Sequence, residues 1–167
     1  MFNDIFKYKQ WADRRTLDAV AAIDQDQFPG AMAFARQQLN HMVRVEELFK
    51  ARLTGQPDPH ASTNTEQLPQ LSELDQRITA SNLWFGRFIG ATPLLNEPVT
   101  FQFVDGKQGS MTRQEILFHI VNHGTYHRGA IGHALDLAKG ARPADTFTVY
   151  LHAAEPGRRE RTELDRG

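Results

Sequence analysis

The sequence predicts an all-α protein, four amphipathic helices gathered into a bundle and interrupted once by a short β-hairpin ahead of the last helix. Three observations lead there. A 3.6-residue apolar period recurs in long segments bounded by turn and loop residues. Strict apolar/polar alternation is confined to one stretch, residues 99–103. The segment after it opens on Thr112 and Glu115, spaced as a capping box that starts a helix. Hydrophobic residues make up 40% of the 167 positions, enough for one well-buried core and one domain.

The first helix is expected over residues 3–24, with Ile5, Tyr8, Trp11, Ala12, Ala19, Ala22 and Ile23 spread over a broad face, and "DQDQFPG" ends it. A second helix, residues 31–54, gathers Phe34, Val45, Leu48 and Phe49 on one side and sets Arg36, Asn40, Glu47 and Lys50 opposite. His41 falls on the apolar side. After Gly55, "QPDPHASTNTEQLP" reads as a loop with His60 in solvent. The third helix, residues 68–90, stacks Leu71, Leu74, Ile78, Phe85 and Ile89, and "ATPLLNEP" closes it. Val99, Phe101 and Phe103 then alternate up to Asp105-Gly106, which supplies the positive-φ positions of a tight turn. The fourth helix runs from the capping box to about residues 139–140, and the Pro-led "RPADTFTVYLH" packs back on the bundle. Residues 1–154 thus form one bundle. The tail, residues 155–167, is too polar to bury and is expected to be disordered.

Nineteen basic residues against 20 acidic ones give a formal charge of -1, so overall charge gives no reason to expect nucleic-acid or anionic-membrane binding. No segment approaches the roughly 20 apolar residues that cross a bilayer, and the N-terminus lacks an apolar signal core. A soluble, cytoplasmic protein is the expectation. The absence of cysteine removes disulfides, thiolate ligands and a cysteine nucleophile together, so any metal must use His, Asp or Glu.

The stretch "HIVNHGTYHRG" carries His119, His123 and His127. At about 100° per residue, His127 lies within the apolar stripe that surrounds His123, whereas His119 lies at its edge beside Tyr126 and Leu137, and His133 is further out. Side chains four apart have Cβ atoms about 6 Å apart, whereas eight residues span about 12 Å, so one metal cannot hold His119 and His127 together. Burial favours the pair His123 and His127, and His41 is the third ligand that an apolar face offers. The competing reading is a set of hydrogen-bonded core histidines, against which stands a cost of roughly 1–3 kcal/mol for each imidazole nitrogen left unpaired in an apolar interior. His119 reads as a supporting or core residue, and His133 and His152 as residues without a role in the site. Arg128 is either ion-paired or placed to orient an anionic substrate. Gly124 and Gly129 call for tight contact with a neighbouring element.

The segments "LNHMVRVEELFKARLTG", "TRQEIL" after the hairpin and "LFHIVNHGTYHRGAIGHAL" resemble the DinB/YfiT-like family of metalloenzymes. The resemblance covers the chain from Trp11 to about His152, with Ala130 where the family commonly has Gln and Phe49 where it often has Trp. It implies an up-down-down-up four-helix bundle with His41, His123 and His127 as ligands of one divalent transition metal, Zn, Ni or Fe. Relatives of this fold include thiol-dependent S-transferases and isomerases, so the resemblance implies a transferase-like enzyme that activates a low-molecular-weight thiol or water against a small electrophile. The alternative is a non-catalytic metal-binding stress-response protein. Asp13, Tyr126 and His119 are candidates for a general base. A homodimer is implied, with Trp84 and Phe88 as exposed apolar contacts.

Overall fold

A computed structural model of the chain describes residues 2–91, 94–103 and 105–158. Its elements are α1 (Phe2–Ala21), α2 (Pro29–Leu53), α3 (Leu71–Ala91), β1 (Pro98–Gln102), β2 (Gln108–Thr112), α4 (Arg113–Leu137) and α5 (Phe147–Ala154), followed by a 3-10 turn, Pro156–Arg158. Residues 159–167 of the expected tail lie outside the described residues. Each of the four long helices packs against two others, closing the ring α1–α3–α2–α4.

The segment between Leu53 and Leu71 sets the helix directions, because it runs back along α2 as a strap. Arginines recur on α2 every eight residues and fasten it in order: Arg52 to Asp58 at 2.9 Å, Arg44 to the carbonyl of Ser62 at 2.6 Å, and Arg36 to those of Leu68 and Pro69 at 2.7 and 2.8 Å. The chain thus returns to the end where α2 began, and α3 runs parallel to α2. A short turn before α2 and the hairpin before α4 reverse the chain, completing an up-down-down-up bundle. The strap also changes two expectations on α2. Asn40, expected in solvent, is buried beneath it with Nδ2 donating to Thr65 Oγ1 at 2.8 Å. Phe34, expected in the core, is 40% exposed.

The hairpin pairs Val99 with Met111 and Phe101 with Gly109. Phe103 N–H donates to the carbonyl of Lys107 at 2.8 Å, and Gly106 alone among the described turn residues takes a positive φ, 86°. Asp105 does not share it. The capping box forms as predicted, with Glu115 N–H on Thr112 Oγ1 and Glu115 Oε2 accepting from Thr112 N–H. At the other end, Gly140 N–H bonds to Leu135 O and Lys139 N–H to Asp136 O, a Schellman closure. Its left-handed position is Lys139, at φ 54°, rather than Gly140. α5 closes over α1, where Phe147 meets the Tyr8 ring edge-on at 5.6 Å.

The apolar core falls into two clusters. One centres on Leu17, Leu39, Ile78 and Leu135, the other on Phe6, Phe49, Phe85 and Ile120. Between them lies a layer of buried charge. Lys9 Nζ reaches Asp13 Oδ2 at 2.7 Å, Asn82 Oδ1 at 2.7 Å and Glu46 Oε1 at 2.8 Å, and Ser81 donates to the other Glu46 oxygen. Arg128 reaches Asp13 at 2.8 Å and Asp145 at 2.8 Å, and Tyr8 donates to Asp145 at 2.6 Å. Burial opposes ionisation of Asp13, but Lys9 and Arg128 outweigh it and hold the carboxyl below its usual range. Glu46 moves the other way, because burial outweighs its contact with Lys9. Trp84 and Phe88, expected as exposed contacts, are half-buried, stacked on each other at 4.9 Å and packed on the second cluster.

Candidate metal centre

α4 carries His123 and His127 one turn apart, and α2, its neighbour in the ring, carries His41 at the same level. The three rings converge in the groove between the two helices. His123 Nε2 lies 3.1 Å from His41 Nε2 and 3.1 Å from His127 Nε2. All three offer ligand atoms within 4.8 Å of one another, and among the described residues no carboxylate joins them. Each side chain is half-buried.

The three ring nitrogens cannot all satisfy one another. His127 Nδ1 bonds to Gln38 Oε1 at 2.6 Å, which places its proton on Nδ1 and leaves Nε2 as a lone pair. A proton on His123 Nε2 can satisfy only one of its two neighbours. Three neutral imidazoles therefore leave lone pairs facing each other in a partly buried groove. A cation resolves this. With metal–nitrogen bonds of about 2.0–2.1 Å, two imidazole nitrogens on one ion stand about 3–3.5 Å apart, so the observed spacing fits a shared transition metal.

Electrostatics prepares the same state. Burial, reinforced by the neighbouring His127 and His41, pushes the His123 pKa down to about 3, and burial with the His41 charge pushes that of His127 to about 4. Both rings are neutral at pH 7, as metal binding requires. His119 is also lowered by burial. It stacks on His123 at 5.3 Å and against Phe49 at 5.2 Å, outside the group of three.

Other expectations divide. His133 is exposed and His152 half-buried, and neither joins the group of three. His60 is not free in solvent: its Nε2 lies 2.5 Å from Glu47 Oε2. Arg128, considered for substrate binding, is only 3% exposed and committed to Asp13 and Asp145. Asp13 is withdrawn from the list of bases for the same reason. Tyr126 is 74% exposed, its ring edge-on to His127 at 5.1 Å. Gly124 is explained, since a Cβ there would stand 2.9 Å from Arg128 Nη1, but Gly129 has nothing within 4 Å and its contact does not exist.

Gln38 is the residue that sequence reasoning missed. Its signal was available, one turn before His41 on α2, but a glutamine there reads as surface until the partner on α4 is known.

Residues 1–162 match the model of the DinB family. The chain is also 24% identical to Protein DinB of Bacillus subtilis (strain 168) over 157 residues, 88% of this chain and 91% of that one. No solved structure matches it. With nearly its whole length covered by that family's model, the chain belongs to the DinB family.

Proposed function

We propose that the chain is a metal-dependent, S-transferase-like enzyme in which a low-molecular-weight thiol or water attacks a small electrophile, with His41, His123 and His127 holding one divalent transition metal such as Zn, Ni or Fe. The supporting observation is the convergence of three imidazole Nε2 atoms without a fourth protein ligand among the described residues. Three protein ligands leave positions for substrate, whereas a structural site is closed by four. The bound ion supplies Lewis acidity that lowers the pKa of a thiol or water toward neutrality.

The chain's own residues do the rest. Gln38 fixes the tautomer and orientation of His127, the supporting contact on which metal affinity commonly depends. The burial that depresses the pKa values of His123 and His127 keeps both unprotonated at neutral pH. His119, stacked on His123 and kept neutral by burial, is the side chain best placed to accept a proton released there.

The test begins with metal analysis of protein purified without a His-tag or chelator, which should return close to one divalent ion per chain. Protein that carries none and takes up none on titration has no such site. The loaded protein is then screened with thiols against electrophilic substrates, with His123→Ala as the blank. Full metal occupancy without any turnover above the blank would identify a non-catalytic metal-binding protein instead.

A further inference from the structure

A second concave region lies across α2 from the histidine groove. A cavity of about 640 Å³ opens between α2, the first turns of α3 and the near half of the strap, a volume typical of small-molecule sites. Its charge is organised unequally. Arg77 grips Glu47 through two hydrogen bonds, Nε to Oε1 at 2.9 Å and Nη2 to Oε2 at 2.7 Å, and His60 lies 2.5 Å from that second oxygen. Burial opposes ionisation of Glu47, but Arg77 and His60 outweigh it and hold its pKa low. The Glu47 carboxylate is therefore fully engaged.

Arg44 and Lys50, which also line the cavity, have no carboxylate partner among the described residues. Arg44 donates Nε and Nη2 to the carbonyl of Ser62 at 3.0 and 2.6 Å, which fixes the guanidinium without neutralising it. Lys50 Nζ lies over the Trp84 ring at 5.5 Å, again keeping its charge. The remaining acid, Glu73, sits 3.6 Å from Arg77. Pro57 and Pro59 line the same cavity and supply apolar, rigid surface. Two uncompensated cations, one of them held in place by the backbone, beside an apolar wall are the elements that recognise an anion carrying a hydrocarbon body.

We propose that this cavity binds a small organic anion, its carboxylate or phosphate headgroup between Arg44 and Lys50 and its apolar body against Pro57 and Pro59. The site is separate from the histidine groove and does not depend on metal.

The full chain, metal-free and metal-loaded, is titrated calorimetrically at low salt with phenyl phosphate, glutarate, inorganic phosphate and, as a neutral control, benzyl alcohol. Saturable binding of phenyl phosphate or glutarate at one site per chain is expected, and the tighter of the two identifies the headgroup. Lys50→Gln and Arg44→Gln should each weaken it by about tenfold, and His123→Ala should leave it unchanged. Lys50 is exposed and meets the strap only through its backbone carbonyl, which the substitution keeps, so its variant keeps the fold even if Arg44→Gln loosens the strap. Binding of none of the charged probes, or of inorganic phosphate alone, would overturn the proposal. So would affinity undiminished in both variants. Loss of binding in His123→Ala would place the anion at the histidines, refuting this site while leaving the proposed enzyme intact.

Discussion

In the interior of the bundle, Lys9 directs its ammonium at Asp13, Asn82 and Glu46, and every carboxylate it meets is met again by Arg128, Asn82 or Ser81. At the same level, in the groove between α2 and α4, His123 turns one nitrogen toward two others that cannot both be satisfied. Gly124 joins the two regions, packed between Lys9, Met42 and Arg128 and adjacent in sequence to His123. The first cluster is complete within the chain and serves the fold. The second brings together three nitrogens that cannot all satisfy one another and could hold a metal ion, and that arrangement, rather than the mere presence of histidines, distinguishes it from the polar core.

The comparison breaks most visibly if the interior network proves dispensable. Lys9→Ala or Asp13→Ala strands a buried charge and should cost about 3–5 kcal/mol, read from denaturant unfolding followed by circular dichroism. A loss under about 1 kcal/mol would mean that the two clusters do not differ in kind. Removing the metal should cost less, about 2.7 kcal/mol when the ion had been present at a hundredfold excess over Kd. Chelation should lower the melting temperature and leave the helical signal intact at room temperature; its collapse would make the ion a structural element. His127→Ala should behave as permanently chelated protein, whereas His119→Ala should retain most of the metal.

Gln38→Ala tests the supporting contact, with an expected 10- to 100-fold fall in metal affinity in a competitive chelator titration. Unchanged affinity would reduce Gln38 to a surface residue. The metal-free protein also carries a pH signature. Burial lowers His123 to about 3 and His127 to about 4 when folded, against an ordinary value of 6.5. Between those limits the unfolded chain binds more protons, so stability should fall as pH drops from 6.5 toward 3. His123→Ala should flatten that slope. Away from both clusters, Lys139→Gly relieves a left-handed lysine and should raise stability by about 1 kcal/mol.

Much of this arrangement was legible in the sequence because it depends on local periodicity. The four helices, the capping box and the angular choice of His127 over His119 follow from spacing along one helix. What escaped depends on pairing between helices. Lys9 and Asp13 lie one turn apart on the buried face of α1, but polarity alone reads them as solvent-facing, and only Glu46, Asn82 and Arg128 on three other helices make their burial tolerable. For Arg128 the choice between ion-paired and substrate-orienting is likewise decided only by its partners on other elements, Asp13 and Asp145, in favour of the ion pair. Asn40 and Phe34 were misplaced because a periodic pattern does not reveal which flank of α2 the strap covers.

Arg36 and Arg44 fasten that strap through backbone carbonyls of Leu68, Pro69 and Ser62. A carbonyl is supplied by any amino acid, so the clamps are indifferent to the side chains they hold. Apart from Asp58, His60 and Thr65, whose side chains bond α2, the strap can therefore be rewritten residue by residue while its path stays fixed. Such a segment is a practical place in which to build libraries around the cavity it borders.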